Sequence, residues 1–163
     1  MQVNASIFKA YDIRGIYPDQ LSAPVAYALG RAFATLLVRE NAGQQLTVVV
    51  GYDMRLSGPE LKAEVIRGIT ETGVAVVDAG LVSTPTFYYA VAKHGLSGGV
   101  QVSASHNPAE YNGMKMVRRG GAPIGGSTGI LDMLTMVRTD DYAPLATIPA
   151  AVTTLEGATA EEA

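Results

Sequence analysis

The stretch from Ser103 to Gly113, SASHNPAEYNG, gathers two hydroxyl-bearing serines, a histidine and two asparagines, and Lys115 follows just beyond it. It comes directly after the apolar run GGVQV, so these groups are expected on a loop at the carboxyl end of a strand. Hydroxyls and backbone N–H groups at such a place suit contacts to a phosphate. The same residues also suit a plain turn, in which Asn107, Pro108, Asn112 and Gly113 only satisfy backbone geometry. Composition alone leaves the two readings level. A serine hydrolase is disfavoured because Ser105 and His106 are adjacent, and neighbouring side chains of an extended chain point to opposite sides. His106 is therefore poorly placed as a base for Ser105. There is no GxSxG elbow, no GxxxxGK[ST] loop and no GxGxxG turn, so nucleophile-elbow, P-loop and dinucleotide readings lack their signatures.

Two further segments carry charge in an apolar frame. FKAYDIRGI, from Phe8 to Ile16, sets Lys9, Tyr11, Asp12 and Arg14 around Gly15, which suggests a buried ionic use. Its plainer reading is a first strand with exposed charges, Asp12 pairing with Arg14 or Arg55. In GYDMRLSGPEL, Asp53 and Arg55 follow a strand's end, and Ser57 and Gly58 precede a helix N-terminus able to accept an anion. Ser57 reads more simply as that helix's cap and Asp53 as a residue that holds the turn. His94, beside the helix stop Gly95, reads as a solvated C-terminal cation without a catalytic role.

The elements that must position these groups are legible from periodicity. Helical spacing of Val25, Leu29, Ala32, Phe33, Leu36 and Leu37, with Ser22 as cap and Pro24 in the first turn, predicts a helix over 22–39. LTVVVG is short, β-branched and without alternation, as in a strand buried on both faces. A helix over Pro59–Thr72 and the strand VAVVDAG then complete a βαβ crossover, which makes the sheet at least partly parallel. A third helix starts at Thr84 and stops at Gly95; GGVQV and GMKMV are strands, Lys115 lying on the face opposite Met114 and Met116; STGILDMLTMVR is a last amphipathic helix. The expected fold is a single three-layer α/β domain with a mixed, mostly parallel sheet of about four strands flanked by helices. It should occupy residues 1–145, with 146–163, rich in Ala, Thr, Pro and Glu, as a linker or the start of an absent second domain.

Composition narrows the partners. The 163 residues are 48% hydrophobic and 17% charged, which suits one core. A net charge of −3 argues against nucleic acid or an acidic membrane surface, both of which need a basic face. No cysteine is present, so disulfides are excluded and a structural zinc site is disfavoured. The N-terminus lacks the order of a signal peptide, and Arg31 and Arg39 interrupt the longest apolar region, so a cytoplasmic protein without a membrane span is expected.

Taken together, FKAYDIRGI, VGYDMRLSGPEL, STPTFYYA and SASHNPAEYNGMK occur in an order and spacing that resembles the N-terminal domain of the α-D-phosphohexomutases, nearest the bacterial phosphomannomutase/phosphoglucomutase subgroup. The resemblance implies that Ser105 carries a phosphoryl group, that Arg14, Lys115 and His106 act beside it, and that Tyr11 and Asn107 line the same site. It implies transfer between hexose 1-phosphate and hexose 6-phosphate through a hexose 1,6-bisphosphate, with phosphorylated hexoses and the remaining domains of the same enzyme as partners. It also implies Mg²⁺ bound by Ser105 through its phosphoryl group and by an aspartate-rich loop of a second domain, absent from this sequence. The fragment alone is then expected to be inactive, and neutralising Arg14 or Lys115 to slow transfer far more than it unfolds the domain. Asp140 and Asp141 read as a solvated helix end rather than metal ligands. The alternatives are a non-catalytic sugar-phosphate-binding or regulatory module and, more weakly, a hydrolase using Ser105.

Overall fold

The computed structural model describes residues 1–155. The apolar runs become the strands β1 (Ile13–Ile16), β2 (Thr47–Tyr52), β3 (Ala75–Leu81), β4 (Gly98–Val102), β5 (Tyr111–Arg118) and β6 (Val152–Thr154). The amphipathic stretches become α1 (Ala23–Glu40), α2 (Gly58–Glu71), α3 (Thr84–Lys93) and α4 (Leu131–Thr139).

All six strands lie in one sheet in the order β1-β5-β4-β2-β3-β6, six rather than about four. Pairings within β4-β2-β3-β6 are parallel, whereas β5 runs antiparallel to both β4 and β1. A parallel partner needs a crossover of a dozen or more residues, and the chain between β4 and β5 is too short for one. The chain therefore reverses at SASHNPAE and holds that loop beyond the carboxyl end of β4.

The two strands beyond the expected four are the sheet's edges: β1, which the plainer reading of FKAYDIRGI anticipated, and β6, a short segment held by backbone pairing with little burial pattern. All residues of β6 are exposed. Residues 143–155, which look patternless in sequence, are tied down by backbone bonds from Ala146 N to Glu71 O at 2.8 Å and Ala150 N to Thr70 O at 2.9 Å. The part of the expected linker from 156 to 163 lies outside the described residues.

Alternation along the strands sorts the core into two faces. Val48 and Val50 join the larger cluster with α1, α2 and α4, while Val49 points the other way to Phe87, Ala90 and Val91 of α3. The result is three layers, with three helices on one face and one on the other. α1 and α2 cross closely because Gly68 offers no side chain: a Cβ there would stand 2.3 Å from the Tyr27 carbonyl oxygen. Ser22 Oγ accepts from Val25 N at 3.4 Å to cap α1, and Ser83 Oγ caps α3 through Thr86 N at 3.2 Å. The last helix is not continuous from Ser127. A wide turn over Gly126–Ile130, with Gly129 at φ 158°, precedes α4. Among the described residues no helix is long and apolar enough to cross a membrane.

Candidate functional site

The reversal after β4 is fixed from below. Ser103 is buried and its N–H pairs with the Gly113 carbonyl at 2.9 Å, continuing the β4–β5 ladder. Its hydroxyl donates to Asp53 Oδ2 at 2.8 Å and accepts from the Ser105 N–H at 3.0 Å. Asp53, at the carboxyl end of β2, also takes the Arg55 N–H on Oδ1 at 3.1 Å and so does hold its turn. A bond from Asn107 N to Ala104 O at 3.1 Å then closes a tight turn with Ser105 and His106 at its centre.

Ser105 has φ 54°, a left-handed backbone that costs a non-glycine residue of order 1 kcal/mol and persists only where the surroundings impose it. The half-buried serine is thereby presented at the loop's apex, with His106 exposed beside it.

Arg14 arrives from β1, where it lies opposite Gly113 of β5. The strands can approach there because a Cβ on Gly113 would stand 2.2 Å from the Ile13 carbonyl oxygen. Arg14 donates to Asp12 Oδ2 through Nε at 3.0 Å and Nη2 at 2.6 Å, and through Nη1 to Asn107 Oδ1 at 2.6 Å. The Asp12–Arg14 ion pair anticipated as the plainer reading is thus present, yet its third donor reaches the serine loop. Asp12 is only 6% exposed, so the charge in this frame is buried and ionic.

Lys9, Ala10, Tyr11, Asp12, Arg14, Asn107 and Tyr111 surround a cavity of about 450 Å³. Arg14, Tyr11 and Asn107 are brought together here, Tyr11 standing 84% exposed at the rim. Ser105, His106 and Lys115 are not among its walls. Lys115 lies half-buried on β5 opposite Gln101 of β4, on the face turned away from Met114 and Met116, and has no hydrogen-bond or ion-pair partner among the described residues. A larger hollow of about 530 Å³ at Met1–Asn4 and Arg138 holds no hydroxyl or carboxylate and offers no comparable chemistry.

These groups supply a presented hydroxyl, an ammonium with three donors and a guanidinium with two of its five N–H groups still unused. That set can receive, hold and neutralise a phosphoryl group.

Residues 5–137 match the family profile described as phosphoglucomutase/phosphomannomutase, alpha/beta/alpha domain I. The chain belongs to this family. It is 42% identical over 135 residues to a phosphomannomutase of Vibrio cholerae serotype O1, covering 83% of this chain and 29% of that protein. It is 39% identical over 140 residues to a phosphoglucomutase of Neisseria gonorrhoeae, covering 86% of this chain and 29% of the relative. In structure it is similar to a phosphoglucomutase/phosphomannomutase family protein of Burkholderia thailandensis, with a TM-score of 0.87 and 37% identity across 98% of this chain and 35% of the other. The chain thus spans about three tenths of the length of these two curated relatives.

In this phosphoglucomutase/phosphomannomutase domain, Ser103, Asp53 and Arg55, all named from the sequence, shape the loop through contacts that the sequence did not show. Ser103 and Asp53 pin its base, and Arg55 donates to four of its carbonyls, with Nη1 on Pro108 and Tyr111 at 2.7 and 2.9 Å and Nη2 on Ser105 and Asn107 at 3.0 and 2.7 Å. The signal for Arg55 was only its place after a strand. Ser57 is a correction: its side chain makes no cap bond, and its Oγ instead accepts from the buried Asn112 Nδ2 at 2.7 Å.

The Mg²⁺ that the resemblance implies needs a set of oxygen donors. Among the described residues no cluster of three or more histidine, cysteine or carboxylate side chains is placed to hold a metal. Asp12 and Asp53 are already engaged, by Arg14 and by Ser103, and Glu110 of the loop is exposed. A hard cation asks for about six oxygens, so these residues do not by themselves fit the ion and no step below runs through it.

Proposed function

We propose that this domain carries the phosphoryl-bearing serine of an enzyme that interconverts hexose 1-phosphates and hexose 6-phosphates. The observation that carries the reading is Ser105 held in a left-handed turn beyond β4, with Arg14 tied to the same loop through Asn107. The family supports it, since named relatives are phosphomannomutases and phosphoglucomutases.

In the forward half-reaction a hexose hydroxyl oxygen attacks the phosphorus on Ser105. The P–Oγ bond breaks, the hydroxyl proton passes to a neighbouring base, and Oγ leaves with a proton from a neighbouring acid, which takes it back when Oγ attacks in the second half. The bisphosphorylated sugar then reorients. Ser105 Oγ attacks its other phosphate, the sugar oxygen leaves and recovers a proton, and the phosphoserine is restored. Phosphoryl transfer through a loose transition state asks the protein chiefly for positioning and charge. A phosphoserine brings about −1.5 to −2 charges, which the unused donors of Arg14 and the free ammonium of Lys115 can offset. His106 and Lys115 are the groups on hand to move the proton.

The test is intact and peptide mass spectrometry after incubation with glucose 1,6-bisphosphate and Mg²⁺, on this chain and on the full gene product. Phosphate on Ser105 of the full product is the expected result. A blank isolated chain beside it would mean that transfer needs groups outside this domain. No phosphate on Ser105 in either protein, with reversible binding of hexose phosphate, would replace the reading with a binding module.

A further inference from the structure

We infer that Arg55 is a positioning residue for Ser105: its guanidinium sets the backbone on which the serine is presented without touching the transferred group. The consequence for rate rests on the function proposed above; the effect on the loop does not.

The loop between β4 and β5 has an unusual accounting of polar groups. Its N–H groups at Ser105, Asn107 and Tyr111 are bonded at 3.0, 3.1 and 3.0 Å to Ser103 Oγ, Ala104 O and Pro108 O. The carbonyls of Ser105, Asn107, Pro108 and Tyr111 all turn inward to one point, where each terminal nitrogen of Arg55 bridges two of them. The chain curls around the cation, and one residue of the curl has positive φ. That residue is Ser105. The arginine fork is planar and spreads its donors in fixed directions, whereas a lysine has one nitrogen and three donors, so it cannot bridge four carbonyls.

Arg55 is not merely one half of an ion pair. Its side chain is 10% exposed, and its Nε stands 3.7 Å from Asp53 Oδ2, beyond hydrogen-bonding distance. Nε is buried with no hydrogen-bond partner. The guanidinium is placed for the carbonyls at the expense of the carboxylate. Asp53 serves the same loop separately, through Ser103 and hence the Ser105 N–H. Two residues of the turn after β2 therefore grip the serine loop from both its carbonyl and its amide side.

The experiment compares wild type with Arg55→Lys and Arg55→Gln, using Arg67→Gln on the exposed face of α2 as a control. Amide exchange read by mass spectrometry on the 163-residue chain should quicken at least about tenfold over residues 103–112 in both Arg55 variants. Exchange in β2 and α1 should stay within about twofold of wild type. In the full gene product, phosphorylation of Ser105 should slow by about 100-fold in Arg55→Lys with KM for the bisphosphate little changed. Millimolar guanidinium should restore part of the loop protection and rate to Arg55→Ala, and sodium chloride of equal strength should not. Unchanged loop exchange in both variants would overturn the inference. So would core exchange that rises in step with the loop, or global unfolding of both, because Arg55 would then be scaffold. If wild type takes no phosphate, the proposed function fails and the exchange data still decide the role of Arg55.

Discussion

Arg14→Gln should destabilise the domain, and Lys115→Gln should not, although both neutralise a cation proposed to serve Ser105. Arg14 makes two bonds to one oxygen of Asp12, at 3.0 and 2.6 Å, and Asp12 is 6% exposed. Removing the guanidinium leaves a buried carboxylate without its charge partner. Breaking a fully buried pair costs about 3–5 kcal/mol, and hydrogen bonds to charged groups contribute about 1.5–3 kcal/mol. The Arg14 side chain is 30% exposed, so water reaches one flank of the pair and screens part of the loss. The expected cost is about 2–3 kcal/mol, or roughly 5–10 °C in Tm for a chain of this size. Asp12→Asn in the same background should recover about 1 kcal/mol or more, because an orphaned amide is cheaper to bury than an orphaned carboxylate. Among the described residues Lys115 has no partner to orphan, and its loss should stay within about 0.5 kcal/mol. Urea unfolding followed by circular dichroism on the four proteins measures all of this. Arg14→Gln within 0.5 kcal/mol of wild type, or Lys115→Gln costing as much as Arg14→Gln, would refute the reasoning.

The other expectations rest on separate contacts. Lys115→Gln in the full gene product should slow phosphate transfer at least about tenfold with Tm unchanged, since each charge-assisted contact contributes about 1.5–3 kcal/mol; single-turnover transfer from the phosphoserine measures it, and a normal rate would remove Lys115 from the site. Gly113→Ala should cost about 2–3 kcal/mol by urea unfolding, because its methyl would meet the Ile13 carbonyl at 2.2 Å and the Ser103 carbonyl at 3.0 Å, both of them backbone. Burial first, and then the hydrogen bond to Glu71, hold the Tyr27 hydroxyl above its ordinary value. The folded state thus keeps this proton more tightly than the unfolded chain, and the stability it contributes below a pH of about 10 is lost as pH rises through the raised value. Tyr27→Phe should flatten that alkaline loss in urea midpoints taken from about pH 8 to about pH 11.

What could be read from the sequence follows how local each cause is. The β2–α2–β3 crossover was legible because Val48, Val49 and Val50 announce a strand buried on both faces and Leu61, Val65 and Ile69 a helical face. The polar loop SASHNPAE was legible at the carboxyl end of GGVQV, whereas the antiparallel return it makes came only with the fold. β1 was anticipated within FKAYDIRGI, whereas β6 was not, since an edge strand with no buried residue is defined only by the ladder it joins. The role of Arg55 was hidden for the same reason: its four acceptors lie 50 to 56 residues away in sequence and are backbone carbonyls, which no residue type reveals. Ser57 misled because a serine before Gly-Pro has the form of a cap, and only the fold brings Asn112 to it.

The site also divides its cations by what they are already doing. Arg55 is consumed by carbonyls, and Arg14 gives three of its five donors to Asp12 and Asn107, which keeps two in reserve. Lys115 keeps all three of its own. On the function proposed above, a phosphoryl group on Ser105 would be served by a rigid guanidinium whose direction is preset and a flexible ammonium whose direction is not. The first suits an acceptor that returns to one place on every cycle. The second suits an acceptor that moves, because a compact charge on a four-carbon stem can follow the sugar oxygen between attack and departure. On that division, Lys115→Arg should fail where charge alone would have predicted success, with phosphate still loaded onto Ser105 but passed on to the sugar hydroxyl at least about tenfold more slowly. Transfer at the wild-type rate in that variant would show that charge, and not freedom of movement, is what Lys115 supplies.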